Sequence, residues 1–208
     1  MASRFVHLHT HIHYSIRLAL PPVAAIVAAA KKKGMEALAL TDSGSLHGAI
    51  EFYKECKDAG LHPVIGVDAY LAPRSRFDRD QNMVRSRLVL LAENNEGYKN
   101  LLTLVTKSFT EGFFERPLMD KELLREHHEG LIALIPSFTG DVPELLGQNQ
   151  TEAAHAALAE WEGIFGKGNL FLEITHPPLV EGHTEKMKRL RALSEKSGVP
   201  LVAQHDVY

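Results

Sequence analysis

The chain has 208 residues, of which 45% are apolar and 24% are charged, and its formal net charge at pH 7 is −3. These values are typical of a globular protein with a substantial core, and they imply no bulk electrostatic attraction to nucleic acid. No apolar run approaches the roughly 20 residues that cross a bilayer, and the beginning, MASRFVHLH, lacks the apolar core of a signal peptide. Since Cys56 is the only cysteine, an internal disulfide is excluded. We therefore expect a cytoplasmic protein with no membrane partner.

Short apolar runs alternate along the chain with stretches of helical periodicity. Seven runs predict strands: Arg4–His9, Met35–Leu40, Pro63–Tyr70, Leu88–Ala92, Leu131–Ile135, Leu170–Thr175 and Pro200–Ala203. Between them, apolar residues recur at helical spacing, as in Val23, Ile26, Val27 and Ala30. Alternation of this kind predicts a parallel sheet with right-handed crossovers. Seven such units favour an α/β barrel of the (β/α)7 type, and a doubly wound open sheet is the alternative that the pattern leaves open.

One polar stretch, Ala72–Ser86, follows neither the strand period nor the helix period. It predicts a long surface loop, and a loop of this length inside a compact domain is often functional. The stretch carries four arginines: Arg74, Arg76, Arg79 and Arg85. These side chains could contact phosphates or a partner chain. Because Asp78 and Asp80 dilute their charge, we favour the interpretation of a solvated loop.

Histidines are concentrated in the segment His7–His13, directly at the end of the first predicted strand. In parallel barrels the active site lies at the carboxyl ends of the strands. Strand alternation would place His7, His9 and His11 on one side. Imidazoles suit zinc, manganese and iron, and carboxylates from other strands can complete such a site. The segment therefore indicates a metal site, with a cluster of hydrogen-bonded histidines as the alternative, because a His-x-His pair alone is a weak signal.

Five stretches together resemble one known family, the PHP (polymerase and histidinol phosphatase) domain at the N-terminus of bacterial DNA polymerase III alpha subunits. They are FVHLHTHIHYS, GMEALALTDSGSLHGAIEFYKECKDAGLHPVIGVDAYLA, LVLLAENNEGYKNLLTLVTKSF, EGFFERPLMDKELLREHHEGLIALI and LVAQHDVY. The resemblance follows the chain in order over nearly its whole length, so it is more specific than any single motif. It implies a distorted (β/α)7 barrel of mostly parallel strands. It also implies a single PHP domain over residues 1–208, as the N-terminal part of a larger polymerase.

The resemblance also implies a metal centre, because active family members hold several metal ions and act as phosphoesterases or 3′–5′ exonucleases. Four positions keep a residue of ligand type: His9, His11, Asp68 and Asp206. Five expected ligand positions are replaced: Leu18, Ser43, Arg87, Ser137 and Tyr208. Four further histidines near the same rim are additional candidate ligands: His7, His13, His176 and His205. Since zinc sites need three or four protein ligands, we expect a degraded site with no metal, or with partial occupancy by zinc or manganese.

Arg87 alters the expected site more than the other replacements do. A guanidinium stays protonated, cannot ligate a metal and repels a nearby dication. We therefore predict that Arg87 occupies part of the metal site and pairs with Asp68 or Asp206. Either carboxylate would otherwise be buried without a partner.

Three functions compete at this point. The first is a structural and interaction module, which would contact the rest of the polymerase alpha chain, reach DNA through it, and dock a separate proofreading exonuclease. The second is an active metal-dependent phosphoesterase or 3′–5′ proofreading exonuclease, and the third is a free-standing phosphatase of the same superfamily. Ser43, Arg87 and Ser137 favour the first over the second, and the polymerase-like stretch ENNEGYKNLL argues against the third. We assign no catalytic residue from the sequence, and whether the chain is itself an enzyme stays open.

Overall fold

The computed structural model describes residues 5–176 and 180–208. The strands in this part of the chain are β1 (Ala37–Leu40), β2 (His62–Leu71), β3 (Ser86–Ala92), β4 (Phe113–Phe114), β5 (Arg116–Met119), β6 (Leu131–Ile135), β7 (Leu170–Ile174) and β8 (Leu201–Ala203). The helices are α1 (Val23–Lys32), α2 (Ala49–Ala59), α3 (Asn95–Thr110), α4 (Lys121–Glu126), α5 (Asp141–Gly147), α6 (Thr151–Phe165) and α7 (His183–Ser197). None of the helices among these residues has the length and hydropathy to cross a membrane.

The strands form one curled, mostly parallel sheet in the order β4-β5-β2-β3-β6-β7-β8, with β1 also paired to β2. The strand pairs β1/β2, β2/β5, β6/β7 and β7/β8 are parallel. Two strands are exceptions, because β3 runs antiparallel to both β2 and β6 and the short β4 runs antiparallel to β5. The start of β3 therefore lies at the same edge as the carboxyl ends of its neighbours, which is where barrel proteins build their sites.

The segment at residues 6–11 closes the sheet between β1 and the chain that follows β8. On one side, Ala39 N donates to His7 O over 2.9 Å. On the other side, His11 N donates to Val207 O over 2.8 Å. Because this segment connects β1 to the chain that follows β8, the sheet curls back on itself, which excludes the open doubly wound sheet and confirms the predicted distorted α/β barrel.

Two details of the predicted strands are wrong. Arg4 lies outside the described residues, and residues 5–9 of the strand predicted at Arg4–His9 carry no regular strand. Here Leu8 N donates to the side-chain Oε1 of Gln204 over 3.1 Å instead of to a neighbouring backbone, which interrupts the ladder. The short strands β4 and β5 were not predicted. They have two and four residues, which is too few to show an alternation of apolar and polar residues, and β5 also contains Pro117.

The strands present two apolar faces, one to the barrel interior and one to the surrounding helices. Val89 and Leu91 belong to an interior cluster, and Leu8 of the closing segment packs against it. The intervening Leu88 and Leu90 pack in the main core with residues of the later helices. This alternation follows from the two-residue period of a strand. Since apolar side chains fill the interior, polar groups collect beyond the strand ends.

The polar stretch between β2 and β3 contains a buried ion pair. Arg76 is buried, and its guanidinium donates to Asp120 over 3.0 Å and to Glu111 over 2.8 Å. Asp120 also caps α4 by accepting from Leu123 N over 2.9 Å. The solvated-loop interpretation is therefore wrong for Arg76, whereas the Arg74 side chain is 75% exposed.

We expect Arg76→Met to lower the free energy of unfolding by about 3 kcal/mol, because the substitution leaves Asp120 buried without its charged partner. Urea denaturation followed by circular dichroism measures the change. Arg74→Met is the matched control, and its effect should stay below about 0.5 kcal/mol because exposed ion pairs contribute little. Equal stability of the two variants would contradict the structural role of Arg76.

Candidate metal centre

Two buried imidazoles from the closing segment form the middle of the site. His9 Nδ1 lies 2.9 Å from Glu173 Oε2, and His11 Nδ1 lies 3.0 Å from Ser15 Oγ. Ser15 donates its own proton to Asp42 Oδ1 over 2.6 Å, so it accepts the proton of His11 Nδ1. Partners of this kind fix the orientation of metal-binding histidines. When these rings are neutral, as metal binding requires, the lone pair is at Nε2.

Asp68 of β2 and Asp206, which follows β8, approach these two Nε2 atoms. His9 Nε2 lies 3.5 Å from both Asp68 Oδ2 and Asp206 Oδ1, and His11 Nε2 lies 3.6 and 3.0 Å from the same atoms. Both Nε2 atoms and Asp206 Oδ1 are buried without a hydrogen-bond partner, since even the 3.0 Å contact is not aligned as a hydrogen bond. Ligand-type atoms of these three side chains lie within 4.8 Å of one another. Buried polar atoms are rarely left unsatisfied, so this donor set fits a cation.

The electrostatic field at the cluster favours positive charge. Burial alone would lower the pKa of His9, but Asp68 and Glu173 raise it to about 10. Burial would raise the pKa of Asp68, but Arg87 and His9 lower it to about 2. The pKa of Asp206 is also lowered, against the effect of burial, by the two imidazoles. The carboxylates are therefore ionised at neutral pH and attract a proton or a metal ion to the same point.

Arg87, near the start of β3, occupies one side of the cluster. Its Nε donates to Asp68 Oδ1 over 3.0 Å, and its Nη2 donates both to Asp68 Oδ2 and, over 2.8 Å, to Ser43 Oγ. The guanidinium lies 4.0 Å from the ring centroid of Tyr70, its partner across the strands. The predicted pairing of Arg87 is confirmed, with Asp68 rather than Asp206 as the partner. Two replaced ligand positions, Ser43 and Arg87, thus bind each other.

Tyr208 and Ser137, two further replaced positions, make contacts that do not require a metal. The Tyr208 ring stacks on that of His11 with centroids 4.5 Å apart, and its hydroxyl donates to Asp206 Oδ2 over 2.8 Å. Ser137 is buried, and its hydroxyl lies 2.8 Å from that of Thr175. Tyr208 therefore buttresses the cluster, and Ser137 belongs to a neighbouring hydroxyl network.

The remaining candidate positions lie outside the cluster: His7, His13, His176, His205 and Leu18. All except His7 are exposed, and His7 is half-buried. Within the described ranges, one group of three ligand-type side chains lies close enough to share an ion. It consists of His9, His11 and Asp206. The expectation for His7 depended on strand alternation, which the irregular closing segment does not follow.

The positioning role of Glu173 was missed in the sequence, where it stands only as a polar residue near a strand end. A signal was present, because a single carboxylate inside the apolar run LFLEI needs a charged or hydrogen-bonding partner once that strand is buried. Ser15 and Asp42 offered no comparable signal, since serine and aspartate are ordinary residues of turns.

A curled α/β barrel with histidines and aspartates gathered at the carboxyl ends of its strands places the chain among the α/β-barrel proteins that build their sites at this edge. The family model of the PHP domain matches residues 7–177. The chain belongs to the PHP domain family.

Its curated relatives include alpha subunits of DNA polymerase III. Over 207 residues the chain is 39% identical to that of Treponema pallidum and 40% identical to that of Borreliella burgdorferi. Each alignment covers 98% of this chain and 18% of the relative, so the chain spans less than a fifth of the proteins it matches. A solved structure assigned as a metal-dependent phosphoesterase from Bifidobacterium adolescentis superposes with a TM-score of 0.60 at 13% identity. That match covers 99% of this chain and 88% of the other, and it shows the shared fold.

We expect Arg87→Met to lower the free energy of unfolding by about 3 kcal/mol in buffer containing EDTA, because Asp68 then stays buried without its guanidinium partner. Urea unfolding measures the loss. The control is Arg116→Met, which removes an exposed guanidinium and should change stability by less than about 0.5 kcal/mol. If Arg87→Met proves as stable as the control, the ion pair does not hold this edge of the sheet together.

Proposed function

We propose that this chain is the PHP module of a bacterial replicative DNA polymerase alpha subunit, a single domain over residues 1–208 that serves as a structural and interaction scaffold. The observation that carries the proposal is the Arg87 guanidinium bound to Asp68. A fixed cation at a ligand position repels further metal ions, so the multi-metal centre of active family members is lost. Similarity to alpha subunits over 98% of the chain supports the rest of such a subunit as the first partner.

In this proposal the residual cluster holds at most one divalent ion. His9, His11 and Asp206 would be its ligands, with Asp68 divided between the ion and Arg87. Two imidazoles with a carboxylate suit zinc or manganese. When bound, such an ion supplies Lewis-acid polarisation of a phosphoryl oxygen and acidifies a water molecule. Glu173 orients the imidazole of His9 by its hydrogen bond.

The second candidate is an active phosphoesterase or 3′–5′ exonuclease, and the unpaired ligand atoms of His9, His11 and Asp206 favour it. The third candidate, a free-standing phosphatase, is disfavoured because the curated relatives named above are polymerase subunits. The remaining partners, DNA reached through the parent polymerase and a separate proofreading exonuclease, stay predictions, as does a cytoplasmic location.

Metal analysis of the intact chain, purified without chelator, tests the proposal together with a nuclease assay in manganese and in zinc. We expect no more than one tightly bound ion per chain and no cleavage of a single-stranded oligonucleotide. His9→Ala should abolish any metal binding, whereas His205→Ala, which changes an exposed histidine outside the cluster, should leave it unchanged. Two or more bound ions with cleavage that depends on His9 would overturn the scaffold reading in favour of the nuclease.

Arg87→His is expected to restore metal affinity, because it removes the fixed positive charge and adds an imidazole at a ligand position. Competition with a zinc chelator should show binding tighter than that of the unmodified chain by about tenfold or more. Arg85→His is the matched control, because Arg85 makes no contact with the His and Asp cluster and pairs with Glu115. Equal affinities for the two variants would show that Arg87 does not limit the site.

A further inference from the structure

A groove with a volume of about 690 Å³ opens beside the metal cluster, at the same edge of the sheet. Six of its lining residues are basic or aromatic: Tyr70, Arg85, Arg87, Arg116, Phe138 and Lys186. The groove shares Arg87 and Tyr70 with the contacts described for the cluster, and neither imidazole lines it. It is therefore a separate feature of the surface that the scaffold function does not use.

The groove carries surplus positive charge. Glu144 is the one carboxylate among its lining residues, against four cationic side chains. Asp68 neutralises Arg87, and Arg85 Nη2 donates to Glu115 over 3.1 Å. Neither Arg116 nor Lys186 has a carboxylate within ion-pair distance in the described part of the chain. Two cations thus remain available to an anion that enters the groove.

The guanidinium groups are held in place before any ligand arrives. The Arg87 guanidinium lies 4.0 Å, and that of Arg116 5.5 Å, from the ring centroid of the buried Tyr70. A guanidinium fixed against a ring keeps its in-plane N–H groups for oxyanions, and the fork geometry of arginine matches phosphate.

Phe138 adds an exposed aromatic surface to the basic wall. Its side chain is 45% exposed, and its ring stacks on that of the buried His183 with centroids 4.5 Å apart. A fixed ring beside phosphate-binding cations is the arrangement by which proteins hold single-stranded nucleic acid, with the backbone on the cations and a base on the ring.

We propose that this groove binds the phosphate of a nucleotide unit, with Arg116 and Lys186 holding the oxyanion and Phe138 stacking the base. The ligand source is either a single nucleic-acid strand or a free nucleotide. Binding of this kind needs no metal and no catalysis, so it goes beyond the scaffold function. The net charge of −3 requires that any such binding come from this local patch rather than from the whole surface.

Fluorescence anisotropy with a labelled single-stranded DNA of about 12 nucleotides tests the groove, using the intact chain in EDTA. Arg116→Gln/Lys186→Gln should weaken binding by about tenfold and reduce its salt dependence. Arg74→Gln/Arg191→Gln removes the same number of charges at exposed positions outside the groove, and it should bind like the unmodified chain. Equal weakening of the two double variants, or no binding by the unmodified chain, would overturn the proposal.

The base-stacking part is tested by Phe138→Ala, with the exposed Phe113→Ala as its control. Loss of oligonucleotide affinity in Phe138→Ala, with competition by pyrophosphate unchanged, would support the strand as ligand. A free nucleotide would be supported instead if thymidine monophosphate displaced the labelled DNA as strongly as the unlabelled oligonucleotide does, and if Phe138→Ala lost its affinity for thymidine monophosphate. Oligonucleotide binding unchanged in Phe138→Ala would overturn the stacking role. Because EDTA excludes metal from all these assays, they test the groove independently of the metal cluster. Absence of nucleotide binding would leave the scaffold proposal intact, and metal-dependent cleavage would leave the nucleotide-binding proposal intact.

Discussion

The ion pair between Arg87 and Asp68 is the contact on which this edge of the barrel depends. Asp68 is buried in β2, where an ionised carboxylate needs a strong partner, and β3 supplies one because it enters the sheet at that edge. The same guanidinium bonds to Ser43, so three stretches of chain meet at one cation. The group that satisfies the buried carboxylate is therefore also a fixed positive charge beside the two imidazoles.

This arrangement explains how a site can keep the geometry of a metal centre while its chemistry changes. His9 and His11 retain partners that orient them, and Asp206 retains its position beside them. Arg87 also lines the basic groove, so the same side chain contacts both the His and Asp cluster and the groove beside it. In the two proposals above, the charge of Arg87 thus opposes further cations at the cluster and adds to the positive potential of the groove.

Most of the barrel could be predicted because long apolar runs that are buried on both faces stand out in a sequence. The direction of β3 could not, because an apolar run looks the same whether the strand is parallel or antiparallel. A hint lay in the polar stretch Ala72–Ser86, since a parallel crossover is usually helical and this stretch has no helical period. The burial of Arg76 was hidden for a related reason, because its partners Glu111 and Asp120 lie far along the chain.

The positions of the candidate ligands followed from the family resemblance, but their convergence depended on contacts that residue spacing cannot describe. Strand alternation grouped His7 with His9, although the closing segment is irregular and His7 stays apart. The orienting role of Glu173 required knowing that β7 pairs with β8, whose continuation contacts the segment of the first histidines. Such pairings are set by tertiary packing and leave no periodic trace in the chain.

The closing segment has a consequence for how the molecule folds. Gln204 bonds to Leu8 and to Val6, contacts between residues nearly two hundred positions apart. Loop closure over such a separation carries a large entropic cost before any contact rewards it, and contacts of this range slow folding. The imidazoles, which stand almost first in the chain, therefore meet Asp206 only after the intervening strands have assembled. In a chain emerging from the ribosome the two histidines are made well before Asp206, so the cluster cannot form until the strands between them have been synthesised.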